Sequence, residues 1–312
     1  MFDITTVFLI MYNYSIIIPH HNCPDLLRRL IDSIPEREDI QIIVVDDASD
    51  PQVVDFSSFE FPANKNIEFY QVPKSESRWG GHARNVGIEH ATGKWLLFAD
   101  SDDFYTQEAF DVLDKYIDSE YDVLYYNCKS VNSKTLEPAS RANHINNLIY
   151  NYLKDPNKDN LDRLKYNAHE PWNKLVRHDF LTKFGIRFEE VKKANDILFT
   201  FLVGYFAQKT SVEAAHVYVC TFRDESITYS INKIEYAERR FEFGLGRNYF
   251  FKQCSLDHLR DSDFLNLLRI TKSLPIKNWF NFFYILIRDQ SRIRKNKANY
   301  FNKLQEIKQN MQ

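Results

Sequence analysis

Short apolar runs alternate with helically spaced segments over the first 127 residues. This alternation predicts an α/β protein with a mostly parallel sheet flanked by helices. The runs 16–18, 42–45 and 95–99 contain no polar residue, as strands buried on both faces require. Past residue 234 the pattern turns helical, which adds a C-terminal helical extension. The expected division is 1–228, with the patterned part starting near 14, and 229–312.

Residues 14–19 (Tyr-Ser-Ile-Ile-Ile-Pro) are a β-branched run stopped by Pro19, hence a buried strand. Leu26, Leu27, Leu30, Ile31 and Ile34 follow at helical spacing, with Pro24 suited to a first turn. Residues 41–45 give a second strand ending in Asp46 and Asp47, and 67–72 a third. Residues 77–90 read as a loop passing into a helix, with Gly80 and Gly81 allowing close backbone approach. Then come a strand at 95–99, a helix at 107–117 and a strand at 121–127. Beyond this the pattern loosens. Residues 130–167 read as loops with one helix near 147–154, 172–184 and 195–206 as helices, and 216–222 as an edge strand. Helices are expected over 234–254, 256–273 and 276–292, before a basic, weakly amphipathic end.

Ligands of such sheets bind beyond the carboxyl ends of the strands. Residues 19–22, Asp46 with Asp47, and 100–103 all fall at that edge. Asp100, Asp102 and Asp103 put three carboxylates within four positions, at a cost in repulsion and desolvation. A divalent cation or a set of hydrogen-bond donors removes that cost. A plain polar turn capped by Asp103 is the competing reading.

Net charge is −3 over 312 residues, too near neutral for a general nucleic-acid binder. Residues 272–312 carry nine Lys/Arg against two acids, net +7, leaving −10 for the rest. The four cysteines show no CxxC spacing, which points to reduced thiols in a cytoplasmic protein. The apolar run at 7–18 is broken by Tyr12, Asn13 and Tyr14 and is too short to span a bilayer.

Five elements occur in order: Ser-Ile-Ile-Ile-Pro-His-His-Asn, Val-Val-Asp-Asp-Ala-Ser-Asp, Ala-Arg-Asn-Val-Gly-Ile, Phe-Ala-Asp-Ser-Asp-Asp and Pro-Trp-Asn-Lys-Leu. Together, over about residues 14–225, they resemble a family-2 glycosyltransferase of GT-A (Rossmann-like) fold, of the bacterial kind that builds capsule, O-antigen or exopolysaccharide. The resemblance implies inverting transfer of a sugar from a nucleotide-diphosphate donor, such as a UDP-sugar, to a hydroxyl of a glycan or lipid-linked acceptor. It implies Mg2+ or Mn2+ held by Asp102, with Asp100 nearer the ribose and Asp103 assisting or capping. Pro19, His20 and Asn22 would border the nucleobase, Asp46 or Asp47 would bond the base or ribose, and Ser101 would line the donor site. Arg84 and Asn85 match the element lying over the nucleotide, although Arg84 also reads as a helix-surface residue.

Relatives carry Glu-Asp at the start of a helix facing the cleft. Here Asn195 precedes Asp196, so Asp196 matches the general base while the Glu is replaced. A helix N-terminus would lower the pKa of that carboxylate and weaken a base. Trp172, Asn173 and Lys174 match an acceptor-side element, with Trp172 also readable as core. Arg223 lies where a diphosphate contact is expected.

The aromatic, basic segment from 276 to 292 suits peripheral contact with an anionic inner leaflet, dimerisation, or packing on the catalytic domain. Two other functions compete. A sugar-phosphate nucleotidyltransferase would show a Gly-rich loop after the first strand, where this chain has Pro19-His-His-Asn-Cys. A sugar-nucleotide-binding protein without transferase activity is kept open by Asn195.

Overall fold

Strands β1 (Tyr14–His20) and β2 (Ile40–Asp47) are buried almost throughout. Their Ile and Val side chains are buried on whichever face they point to, which is why these runs carry no polar alternation. A computed structural model describes residues 12–222 and 233–311. Arg223, the expected junction at 228–229 and the start of the 7–18 run lie outside those residues.

The chain divides into two compact units, 1–222 and 223–312. In the first, β3 (Asn66–Val72), β2, β1 and β4 (Trp95–Phe98) lie side by side and parallel, so their carboxyl ends share one edge. Helices α1 (Pro24–Ser33) and α2 (Trp79–His90) connect them. α2 lies so close to β1 that a Cβ at Gly87 would sit 2.3 Å from Ile17 Cγ2. Any side chain there would force the helix away from the sheet.

The remaining order is β4–β7–β6–β8–β5. β7 (Lys174–Arg177) runs antiparallel between β4 and β6 (Val123–Asn132), and β6 pairs parallel with β8 (Thr210–Phe222). β5 (Phe104–Tyr105) pairs antiparallel with the outer side of β8. The sheet is thus mixed but mostly parallel, as expected.

Several element boundaries differ from expectation. Residues 172–184 are not one helix: a short turn at Pro171–Asn173 leads into β7, and only His178–Phe184 (α6) is helical. Leu175 and Val176 are fully buried because the slot between β4 and β6 imposes strand geometry on them. β8 begins at Thr210 and is interior, since β5 covers its far side. The helix expected over 107–117 is α3 (Ala109–Leu113) plus one tight turn. The polar stretch after β6 holds two helices, α4 (Asn143–Lys154) and α5 (Lys158–Asn167). Helix α7 (Ile197–Phe206) is buried nearly all round.

The second unit comprises α8 (Lys233–Gln253), α9 (Asp263–Ser273), α10 (Trp279–Arg288), α11 (Gln290–Asn296) and α12 (Asn299–Asn310). Ala237, Ile270, Leu274 and Phe282 form a core of their own, backed by Phe241, Trp279 and Leu286. The single helix expected over 276–292 breaks at Asp289. The aromatic segment divides by face. Phe282 is buried, while Ile276, Phe280, Tyr284 and Ile287 are 76, 88, 62 and 76% exposed. No helix among the described residues is long and apolar enough to cross a membrane.

Candidate active site at the strand tips

After Phe98 the chain turns sharply, with Asp103 N donating to Asp100 O at 3.0 Å. Neighbouring elements pin this turn. Asp100 N donates to the Tyr218 hydroxyl (2.9 Å), and that hydroxyl donates to Asp103 Oδ2 (3.0 Å). Thr221 N donates to Asp103 Oδ1 (2.6 Å), and Arg29 Nη2 to Asp102 O (2.6 Å). Asp103 is fully buried, and burial with Asp102 and Asp100 nearby pushes its carboxyl well above the usual range. These bonds tie Asp103 to β8.

One oxygen from each of Asp100, Asp102 and Asp103 can lie within 4.8 Å of the others. Hard carboxylate oxygens at this spacing fit Mg2+ or Mn2+, which take one or two protein carboxylates and fill the shell with phosphate oxygens. Asp103 is the most buried of the three, and both its oxygens accept protein hydrogen bonds.

At the β1–β2 tips, His20 Nδ1 donates to Asp46 Oδ1 (2.9 Å) and its Nε2 accepts from Cys23 N (3.2 Å). Ser49 also bonds Asp46, through both its hydroxyl and its backbone N. Burial raises the Asp46 pKa, but the His20 and Ser49 bonds outweigh it and hold the carboxyl below its usual value. His20 and Asp46, expected at the donor site, are both buried and bonded to one another and to Ser49. Asp47 differs. It is buried, and its Oδ1 has no hydrogen-bond partner among the described residues, which suits a ligand donor. Asn22, at φ +55°, receives the Asp50 N–H on its side-chain oxygen (2.7 Å). With His21, Ala48, Gln71 and Lys74 it lines a cleft of about 650 Å³. Pro19 is half-buried at the end of β1. Buried Ser101 contacts Cys23 Sγ at 3.1 Å, fixing the acidic turn to the start of α1.

Arg84 on α2 spans the site. Its Nη2 donates to Asp100 Oδ1 (2.6 Å) and its Nη1 to Asn195 Oδ1 (3.2 Å). It is buried, so the surface reading fails. Asn85 clamps the neighbouring segment: its amide bonds both Phe188 O (3.0 Å) and Phe188 N (2.9 Å). At Gly81 a Cβ would lie 2.0 Å from Glu189 O, so α2 and the segment before α7 touch backbone to backbone.

That segment delivers Asp196 to the start of α7. Burial raises its carboxyl to about 6, against the pull of Arg84 and with a push from Glu170. The helix-end lowering expected from sequence is thus overridden by desolvation. Glu189 is raised further, to about 7, by burial and by Asp196.

Trp172, Asn173 and Lys174, which match the acceptor-side element, are all buried. Trp172 stacks on Tyr218 at 5.5 Å. Lys174 Nζ donates to Ala168 O (2.7 Å), Asn173 Oδ1 (2.8 Å) and Glu170 O, and burial lowers its pKa to about 8. Lys174→Met is expected to destabilise the fold by about 3 kcal/mol or more, because buried acceptors lose their donor. Urea unfolding measures this, and Lys174→Arg should not restore stability, since a planar fork does not fit a site built for an ammonium.

Sequence reasoning missed Glu189, Glu170 and Arg141. Arg141 donates to Thr221 O (2.7 Å) within the field of Asp103, Asp100 and Asp102. None sits in a spaced motif; only the Glu189-Glu190 pair upstream of Asp196 was a visible signal.

Among curated proteins the chain is similar to the poly(ribitol-phosphate) β-N-acetylglucosaminyltransferase TarS of Staphylococcus aureus, 27% identical over 220 residues, covering 67% of this chain and 35% of the relative. It is also similar to a poly(ribitol-phosphate) β-glucosyltransferase of Bacillus spizizenii, 29% identical, covering 65% and 31%. The chain thus spans about a third of the length of these relatives. Among solved structures, S. aureus TarS 1–349 in complex with UDP-GlcNAc matches with a TM-score of 0.56 at 21% identity, over 93% of this chain and 92% of that one. A mannosyltransferase of Pyrobaculum calidifontis in complex with GDP-Man and Mn2+ matches with 0.53 at 16%, over 94% and 87%. These likenesses show the GT-A fold. Residues 15–184, more than half of the chain, match glycosyl transferase family 2, and the chain belongs to that family.

Proposed function

We propose that this chain is an inverting glycosyltransferase that moves a hexosyl or N-acetylhexosaminyl unit from a UDP-sugar to a hydroxyl of a surface-polysaccharide acceptor. One observation carries the reading: Arg84 joins the acidic turn at Asp100 to the segment presenting Asp196. Donor site and base thus face each other across a single guanidinium. Asp102 and Asp100 would hold Mg2+ or Mn2+, which when bound offsets charge on the departing diphosphate. Asp47 would bond the base or ribose, and Arg141 is a cation suited to the phosphates. Asp196, with its raised pKa, would take the acceptor proton near neutral pH.

The acceptor would be a glycan or lipid-linked polymer; the two teichoic-acid-type relatives named above act on poly(ribitol-phosphate) according to their names. Cytoplasmic work at the inner face of the membrane belongs to the same proposal. The exposed stripe on α10, bracketed by Lys277 and Arg288, supports it.

The test is calorimetry and turnover with UDP-GlcNAc, UDP-glucose and GDP-mannose, with and without Mn2+. A UDP-sugar that binds with Mn2+ and is transferred is the expected result. Binding without turnover on any polymer would favour a sugar-nucleotide-binding protein. Release of pyrophosphate from UTP and a sugar phosphate would favour a nucleotidyltransferase.

A further inference from the structure

Trp79 opens α2 at φ +67°, a region that bulky L side chains rarely enter. Its ring is nevertheless 44% exposed, so burial does not repay the strain. A residue kept in a disfavoured backbone state without core packing is a mark of function. The ring's place defines which function. Next to it is Gly80, where an added Cβ would lie 3.3 Å from Arg84 Nη1 and 4.0 Å from Asn195 Nδ2. Two positions on, Gly81 abuts Glu189 O. From the opposite segment the Lys192 ammonium reaches to 4.8 Å from the ring centre. The indole therefore sits on the lip where α2 meets the segment that presents Asp196. Trp79 is not among the residues that line the cleft of His21, Ala48 and Gln71.

We propose that Trp79 is an acceptor subsite: its indole stacks on the C–H face of the sugar or alditol unit next to the attacked hydroxyl. This rests on the glycosyltransferase reading above, because the acceptor must reach Asp196. Carbohydrate rings and alditol chains present apolar C–H faces that pack on aromatic rings. Lys192 holds the indole from the other segment and leaves a cation beside the bound polymer.

Trp79→Gly and Trp79→Phe, assayed with a UDP-sugar and a ribitol-phosphate polymer, test the subsite. Trp79→Gly is expected to raise acceptor KM by about tenfold or more, with the loss falling on KM rather than kcat. Trp79→Phe keeps an aromatic face and should recover most of the affinity. UDP binding, followed by calorimetry, should match the wild type in both. Trp79→Gly should also melt at a higher temperature, since glycine accepts the positive φ without strain. A residue with a merely structural role would lower the melting temperature instead. Unchanged acceptor KM in Trp79→Gly, or a parallel loss of UDP affinity, overturns the subsite while the transferase reading stands. A wild type that binds no UDP-sugar overturns both.

Discussion

Asp196→Asn is expected to slow transfer by about 10²- to 10⁴-fold, the usual contribution of a positioned base. Donor binding should persist, because Arg84 keeps its bonds to Asp100 and Asn195 whichever residue stands at 196. The same change should stabilise the protein, and the sign follows from the carboxyl's environment. Its pKa in the fold is about 6, above the ordinary value for aspartate. The fold therefore favours the protonated form. That stabilisation is complete in acid and is lost as pH rises through about 6. Above it, the wild type carries a desolvated carboxylate that asparagine would not. Urea unfolding at pH 8 should show a gain of at most about 3 kcal/mol, absent at pH 4. The activity profile supplies an independent check. kcat/KM should rise with pH through the range of Asp196 and Glu189, about 6 and 7, in steps that belong to the interacting pair. An acid limb near pH 4, or transfer retained by Asp196→Asn, would remove Asp196 from the role of base.

Asp102→Asn is expected to fail at the other half of the reaction. Mn2+-dependent UDP binding should weaken by ~100-fold or more, since a metal clamp on phosphate oxygens is worth several kcal/mol. Chelation of the wild type by EDTA should reproduce the loss, and EDTA should add nothing to the variant. The amide is nearly isosteric, and the backbone carbonyl of residue 102 keeps its bonds from Arg29 and Thr221 in the variant. If Asp102→Asn bound UDP as the wild type does, with Mn2+ present, the acidic turn would be structural only.

Much of the nucleotide-binding half was legible because burial on both faces leaves an unmistakable imprint. Ile16 to Ile18, Ile42 to Val45 and Trp95 to Ala99 could hardly be anything but inner strands. β7 left no such imprint. Four residues between a turn and a helix become a strand only because β4 and β6 stand on either side. The outer half of β8 was missed because residues 210–216 are partly exposed and polar.

The site was legible as a place but not as a set of roles. Asp46 and Asp47 are adjacent, so they point to opposite faces of β2, and only the folded chain shows which carboxylate His20 and Ser49 consume. Lys174 enters only through its match to an acceptor-side element, and because a lysine in the interior is rare, its burial is not readable from sequence. Its burial depends on carbonyls from the loop before it. The pKa of Asp196 depends on what surrounds it, which helix position alone does not reveal.

The contact between Gly81 and Glu189 bears on how acceptor choice could be retuned. Main chain rests on main chain at that seam, and even a methyl group would pry it open. Libraries aimed at new polymers should leave residues 81–85 alone. Diversity belongs at the rim, at positions 79 and 192, where side chains can be exchanged while the machinery beneath stays in register.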